Sequence, residues 1–260
     1  MRIAAAGFCC IDVYNNLKKY YPTGNGVDFA VHMNRLGYAS SLISAVGNDS
    51  YGELMKETLK KEGIDISHLH TLAGSTAVIQ LELNGNDRVH GDEDEGVMEQ
   101  FSLTQKDIDF ILTHDYLHTD LFGRILNRLP FFQSSGLKTV FDFSTFLQDE
   151  RIERILPSVD YAFFSYEQED NFIRDYMKWA KNLGPSLVTV TLGEHGSLSY
   201  DGQAFHKGES IPVDVVNTVG AGDSFIAGFI HGIIRGQSIP DCLKSGATLA
   251  SSVITQFEPY

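Results

Sequence analysis

Short apolar segments alternate with amphipathic ones along most of the chain. Runs rich in Val, Ile, Phe and Thr, which are typical of buried strands, occupy residues 40–46, 76–83, 138–143, 161–165 and 187–192. Residues 51–62 and 168–183 carry apolar side chains at helical spacing, which predicts amphipathic helices. The alternation predicts an α/β fold: a three-layer αβα sandwich with a central, mainly parallel sheet covered by helices on both faces.

Two segments depart from this alternation. Residues 12–21 and 76–91 have strand-like composition, and the second is followed by the acidic run Asp92-Glu93-Asp94-Glu95 in place of a crossover helix. We expect these segments to pair as a small accessory sheet and the acidic run to form a loop. Residues 102–105 resemble a capping box ahead of another helix. Because no tandem repeat or Gly/Ser linker is present, residues 1–260 are predicted to form a single domain.

The net negative charge of the chain makes some classes of binding partner unlikely. The formal net charge of −14 disfavours nucleic acid and anionic membranes, which a field of this sign repels. The apolar start reaches Asp12 too soon for a signal peptide or membrane span. The three cysteines, two of them adjacent at Cys9 and Cys10, show no disulfide framework, so a cytoplasmic location is expected.

The strongest chemical signal is the turn Gly220-Ala221-Gly222-Asp223, which precedes a long apolar helix. Gly220 and Gly222 allow backbone N–H groups to approach an anion, and the positive end of the helix dipole favours a phosphate there. Asp223 lies in the first turn, where its carboxylate can accept the proton of an attacking hydroxyl. The alternative interpretation of these residues alone is an ordinary helix cap with a tight turn.

Other segments favour the catalytic interpretation. Residues 188–196 predict a buried strand entering a Gly-rich turn, and a second glycine turn, Gly24-Asn25-Gly26, lies between Asp12 and Asp28. With the late Gly-Ala-Gly-Asp turn, the chain resembles the ribokinase-like (PfkB-type) carbohydrate kinases over nearly its whole length. The resemblance implies a ribokinase-like sandwich with a small β-sheet lid, the accessory sheet inferred above. It also implies an ATP-dependent kinase for a sugar hydroxyl.

The resemblance assigns roles to individual positions. Asp223 is implied as the catalytic base, with an anion hole formed by Gly220, Ala221 and Gly222. The other implied positions are nucleotide-binding Thr191, Gly193, Gly196 and Asn217, substrate-binding Asp12, Gly24, Asn25, Asp28 and Arg88, and the metal ligand Glu169. The implied cofactor is Mg-ATP, and by analogy lids of this family pair into homodimers.

Several positions depart from the family pattern. Thr23-Gly24 replaces the family's early Gly-Gly, and Asp28 replaces its sugar-binding Asn. The Asn of its NxxE element is missing ahead of Glu169. Asn217 stands where the family's usual Asp belongs to a monovalent-cation site, so K⁺ dependence stays open. An inactive sugar-binding sensor of the same fold is the alternative that these departures suggest.

The substrate expectation comes from a narrower likeness. Residues 86–89, 91–92, 95–98 and 141–144 are similar to those of fructosamine kinases, among them fructoselysine 6-kinases. We therefore expect fructoselysine, phosphorylated on its primary hydroxyl, with another sugar, a ketodeoxy acid or a nucleoside as alternatives. The acidic run at residues 92–95 is either a solvated loop or an attraction for a cationic substrate tail.

His114 and His118 have the spacing of helical metal ligands, but the residues between them indicate a helix end entering a strand. A metal site there is not expected.

Overall fold

Strands of the chain form two sheets of unequal size. The computed structural model describes the backbone of residues 1–84 and 87–260 and the side chains of residues 1–82 and 91–260. The strands within this part are β1 (Arg2–Ala5), β2 (Cys10–Tyr14), β3 (Lys19–Thr23), β4 (Ala39–Gly47), β5 (Asp65–Leu72), β6 (Val78–Asn84), β7 (Asp87–Asp94), β8 (Tyr116–Asp120), β9 (Lys138–Asp142), β10 (Tyr161–Ser165), β11 (Leu187–Thr191), β12 (Ser197–Tyr200) and β13 (Phe205–Gly208).

Helices connect most of these strands. The α-helices of the described chain are α1 (Asn25–Arg35), α2 (Ser50–Lys61), α3 (Gln105–Ile111), α4 (Leu129–Ser134), α5 (Ile152–Ile155), α6 (Asn171–Asn182), α7 (Ala221–Ile234) and α8 (Ile239–Val253). Short 3₁₀ segments occur at Gly96–Gln100, Leu126–Arg128, Leu156–Ser158 and Gly193–His195. Among the described helices, none combines the length and the apolar character that a membrane crossing requires.

The larger sheet has the strand order β13-β12-β11-β10-β9-β8-β1-β4-β5. Strands β11 through β5 in this order run parallel to their neighbours, and β12 and β13 add an antiparallel edge. Alternate residues of one strand enter opposite cores: in β4, Ile43 packs with α3 to α6, and Leu42 packs with α1, α2, α7 and α8. Helices therefore cover both faces, and the predicted αβα sandwich is confirmed.

The smaller sheet has the order β3-β2-β6-β7 and confirms the predicted accessory sheet. We call it the lid. Its strand β2 follows β1 directly, and its buried Tyr14, Tyr21 and Leu81 pack with Val219, which immediately precedes the Gly220 turn. The lid is thus packed against the segment that carries the strongest chemical motif.

Three local expectations need correction. The acidic run is not wholly a loop, because residues 92–94 continue β7 in pairing with β6. The cap of α3 is formed by Thr104 and Asp107, which exchange side-chain and backbone hydrogen bonds, whereas Ser102 was expected to take part. Helix α6 begins at Asn171, later than expected, because the Asp170 side chain caps it by accepting from the Ile173 N–H.

Candidate active site

A cleft of about 590 Å³ opens between the lid and the carboxyl ends of the central parallel strands. In open α/β sheets ligands bind at this edge, because loops there lead into helix N-termini. The residues that line it come from many elements: Phe8, Cys10, Asp12, Thr23, Gly24, Asn25, Asp28, Ile79, Glu93, Glu95, Asp120, Leu121, Phe122, Asp142, Ser144, Thr145, Phe146, Ser165, Thr218, Val219, Gly220, Ala221, Gly222 and Asp223.

The glycine turn forms one end of this cleft. Gly220 adopts φ +69°, and a Cβ there would lie 2.7 Å from the Pro259 Cβ, so both the conformation and the packing require glycine. At Gly222 a Cβ would meet no atom within 4 Å and would instead enter the cleft. The first N–H groups of a helix have no partner within it, although that of Ala221 contacts the Thr218 carbonyl at 3.3 Å. The turn therefore offers an open, positively polarised cradle of phosphate size.

Asp223 projects into the same cleft from the first turn of α7. Its Oδ1 atom is buried and has no hydrogen-bond partner among the described residues. Burial raises the pKa of this carboxyl well above its ordinary value, and the neighbouring charges of Asp28, Asp142 and Asp120 raise it further. A carboxylate of raised pKa without a partner is suited to accept a proton from a hydroxyl placed against it.

The predicted sugar-binding residues gather where β3 leads into α1. The single proton of the Thr23 hydroxyl is shared between the two Asp28 carboxylate oxygens, which lie 3.0 and 2.8 Å from the hydroxyl oxygen. Gly24 has φ +126°, and a Cβ there would lie 2.3 Å from the Phe8 carbonyl oxygen. Asn25 and Asp12, from α1 and β2, complete this group. The structure thus places four predicted positions together in the cleft.

Two further carboxylates that line the cleft were missed as site residues from sequence. Asp120 and Asp142 end the neighbouring strands β8 and β9 and lie opposite each other in register. Asp142 accepts from the Asn25 side-chain amide at 2.9 Å, and burial raises its pKa. Burial raises the pKa of Asp120 to about 6, and the nearby Asp142 adds to that effect. The signal that would have found them is an aspartate at the carboxyl end of a buried strand.

The predicted nucleotide residues lie beside the cleft without lining it. Thr191, at the end of β11, shares a 2.9 Å hydrogen bond with the hydroxyl of Ser165, which does line the cleft. Gly193 and Gly196 follow in the next turn, both with positive φ. The buried Asn217 side chain donates to the Tyr14 hydroxyl and the Phe257 carbonyl and accepts from the Val219 N–H. Asn217 therefore holds the glycine turn against the lid.

Glu169, the predicted metal ligand, is engaged in ion pairs. Its carboxylate contacts Arg174 and also Lys207, the latter at 2.6 Å, and both cations lower its pKa. Within the part of the chain that the structure describes, no group of three or more His, Cys, Asp or Glu side chains has a metal-binding arrangement. The carboxylate of Glu169 itself is occupied by two basic side chains.

Members of the acidic run differ in their relation to the cleft. Glu93 lies opposite Ile79 in the ladder and both line the cleft, whereas Asp94, opposite Val78, is not among its described lining residues. Glu95 also lines the cleft and is ion-paired with Arg124. The side chain of Arg88, predicted to bind substrate, lies outside the described residues.

Comparison with known proteins relates this geometry to a family. Residues 11–260 match the family described as pfkB family carbohydrate kinase. The chain is 40% identical over 252 residues to fructoselysine 6-kinase of Escherichia coli (strain K12), covering 97% of each chain. It is 34% identical over 258 residues to fructosamine kinase FrlD of Bacillus subtilis (strain 168), covering 96% of this chain and 90% of that protein.

Comparison with solved structures shows a similar fold. The structure of Arabidopsis thaliana ribokinase complexed with ribose and ATP superposes with a TM-score of 0.85 at 18% identity, covering 98% of this chain and 92% of that one. The ribokinase-like architecture expected from the sequence is confirmed. Because the family description matches residues 11–260 and a relative is 40% identical over 97% of the chain, this chain belongs to the pfkB family of carbohydrate kinases.

Proposed function

We propose that this kinase transfers the γ-phosphoryl group of Mg-ATP to the primary hydroxyl of a fructosamine, with fructoselysine as the leading substrate. The observation that carries the proposal is the 40% identity to a fructoselysine 6-kinase over 97% of both chains. The lidded cleft supports it, since Asp223 and the glycine turn line it together with hydrogen-bonding side chains that suit a sugar.

In this proposal Asp223 acts as the general base. The acceptor hydroxyl takes the vacant position at its Oδ1 atom and loses its proton to the carboxylate as the oxygen attacks phosphorus. The raised pKa makes the carboxyl a stronger base but also favours its protonated form before substrate arrives. A cation bound in the cleft lowers that pKa and thereby prepares the base.

The glycine turn stabilises the developing phosphoryl charge through backbone groups. The predicted anion hole of Gly220, Ala221 and Gly222 directs backbone N–H groups toward the terminal phosphate, and the N–H of Ala221 is shared with the Thr218 carbonyl at 3.3 Å. Mg²⁺ supplies charge neutralisation of the phosphate oxygens when bound, and Glu169 stays its predicted protein ligand. Thr191, Gly193 and Gly196 remain the predicted nucleotide-binding positions at the strand ends beyond Ser165.

A coupled ADP-release assay tests the function directly. The protein is incubated with ATP and a panel of fructosamines, free hexoses, ketodeoxy acids and nucleosides, and the product is located by NMR. We expect turnover with fructoselysine at the highest kcat/KM and phosphate on the primary hydroxyl. Preferred turnover of another class would reassign the substrate, and calorimetric binding of fructoselysine without ATP consumption would identify a sensor.

We also propose a cytoplasmic location and a homodimer formed through the lid. The cysteines Cys9, Cys10 and Cys242 are unpaired, which suits a reducing compartment. Strand β3 is an edge of the lid, and Tyr20 on it is 55% exposed. Sedimentation analysis of the wild type and of Tyr20→Glu tests the dimer, because a charge at the contact would dissociate it.

A further inference from the structure

The ends of β8 and β9 hold two carboxylates in the cleft, Asp120 and Asp142. Asp120 accepts hydrogen bonds from the backbone N–H groups of Phe122 at 2.6 Å and Phe8 at 3.2 Å. Asp142 accepts from the Ser144 N–H at 2.8 Å and from the Asn25 side-chain amide at 2.9 Å. Every contact is with a neutral donor, so neither negative charge is offset by these hydrogen bonds.

Acidic side chains outnumber basic ones among the described residues that line the cleft. Seven of the described lining residues are carboxylic acids, and none of them is Lys, Arg or His. Glu95 is ion-paired with Arg124, which stands outside the described lining. The described lining therefore carries a negative field, which favours a cationic ligand over an anionic one.

Aromatic rings flank the two carboxylates. Phe122 follows Asp120 by two residues, and Phe146 follows Asp142 by four. The two rings meet edge to face, with centroids 5.6 Å apart, and both side chains remain partly exposed, at 37% and 43%. Carboxylates beside open aromatic faces suit an organic cation, because the rings cover its apolar substituents and attract its charge.

We propose that Asp120 and Asp142 bind the ammonium nitrogen of the sugar-amine substrate, with the ring of Phe122 packed against its carbon substituents. This inference rests on the proposed function and assigns the specificity of that same site. A fructosamine carries its nitrogen at one end of the sugar and the phosphorylated hydroxyl at the other. Asp120 and Asp142 line the same cleft as Asp223, so one substrate can contact all three carboxylates.

A metal ion is a poorer occupant of this position. The described part of the chain contains no cluster of three or more side chains arranged to hold one, and the two carboxylates already accept neutral donors. A neutral sugar would leave the charges of both carboxylates without compensation. A substrate ammonium supplies the missing charge together with N–H donors.

The test compares two substrates that differ only at the nitrogen. One is Nε-fructosyllysine, and the other is its analogue with an ether oxygen in place of that nitrogen. For Asp120→Asn we expect KM for the amine to rise by about 10- to 100-fold, the value of a hydrogen bond to a charged group. KM for the ether should change by less than about threefold, and kcat for both should change little.

A second variant keeps the proposal testable if Asp120→Asn disturbs the loop. Phe122→Leu preserves the backbone N–H that Asp120 accepts, and it should raise KM for the amine alone by about 2- to 30-fold. Asp94→Asn, which removes a charge of the lid that is not among the described residues lining the cleft, is the matched control and should leave both KM values unchanged.

The outcomes separate the inference from the function on which it rests. Equal losses for amine and ether, or no loss for either, would overturn the ammonium site while leaving the kinase assignment intact. If the wild type phosphorylates neither compound, the proposed function fails. Calorimetry then decides the inference alone, since wild-type protein must still bind the amine more tightly than the ether.

Discussion

Two parts of the cleft are proposed to recognise ligands by opposite means. At the N-terminus of α7, the proposed phosphate site consists of backbone N–H groups beside glycines, with Asp223 as the proposed base. Around it, carboxylate side chains from β2, α1, β8 and β9 line the cleft, and they are proposed to bind the sugar and its amine. Backbone dipoles cannot be titrated, whereas buried carboxylates respond to pH, salt and bound cations. The glycine turn should therefore be insensitive to pH, and the carboxylates should be sensitive to it.

The largest effect is expected from Asp223→Asn. Loss of a general base typically lowers the rate by about 10²–10⁴, and kcat should fall by that factor. The fold should persist, and the melting temperature should stay equal or rise, because the raised pKa shows that the charge is disfavoured where it stands. Steady-state kinetics and calorimetry measure both. A variant with wild-type kcat would show that the base is elsewhere.

Titration of the buried Asp120 carboxyl should be visible in the pH dependence of stability. Burial raises the pKa of Asp120 from 3.8 to about 6, so its carboxyl contributes stability below pH 3.8 and loses that contribution as pH rises through 6. Asparagine does not titrate. The free energy of unfolding of Asp120→Asn, relative to wild type, should therefore increase by up to about 3 kcal/mol between about pH 4 and pH 7. A difference independent of pH in urea titrations would contradict this account.

The glycine turn at the start of α7 can be probed by two substitutions. Gly220→Ala should lower stability by about 2 kcal/mol or more, because its positive φ and the nearby Pro259 both oppose a Cβ. Gly222→Ala should leave stability equal or raise it by up to about 1 kcal/mol, since its Cβ meets open space in a helix. That methyl group enters the phosphate cradle, so KM for ATP should rise about tenfold while KM for the sugar stays unchanged.

Thermal melts and ATP titrations of both variants distinguish these effects. If Gly222→Ala binds ATP normally, the phosphate does not rest on this turn.

The smallest effect is expected at the lid. Glu93→Gln removes a charge from the cleft face and should raise KM for fructoselysine by a few fold, whereas Asp94→Asn should not. The effect should shrink as salt is added, because the exposed charge is screened. If the two variants raise KM equally, the position of the charge on the lid does not matter and only the net charge of the lid affects substrate binding.

Several features were predictable from local sequence. Apolar runs such as residues 161–165 appear as strands, and the Gly220 turn opens a helix as expected. The positions of Asp12, Gly24, Asn25 and Asp28 in the cleft agree with the resemblance. The extent of β7 was not predictable, because charged residues 92–94 have low strand preference and are held by pairing with β6.

The proximity of Asp120 and Asp142 could not be predicted from the sequence. They are 22 positions apart in the chain and become neighbours only because β8 and β9 pair in parallel and in register. The ion pair of Glu169 with Lys207 depends in the same way on how distant segments pack. No local pattern specifies which strand ends adjoin.

The amino-acid sequence by itself determined the alternation of helices and strands and the glycine turn that precedes Asp223, since these depend on residues adjacent in the chain. Tertiary structure alone decided which carboxylates share the cleft and how their pKa values shift. The physical reason is that burial and Coulomb repulsion act across space between segments that the strand order brings together.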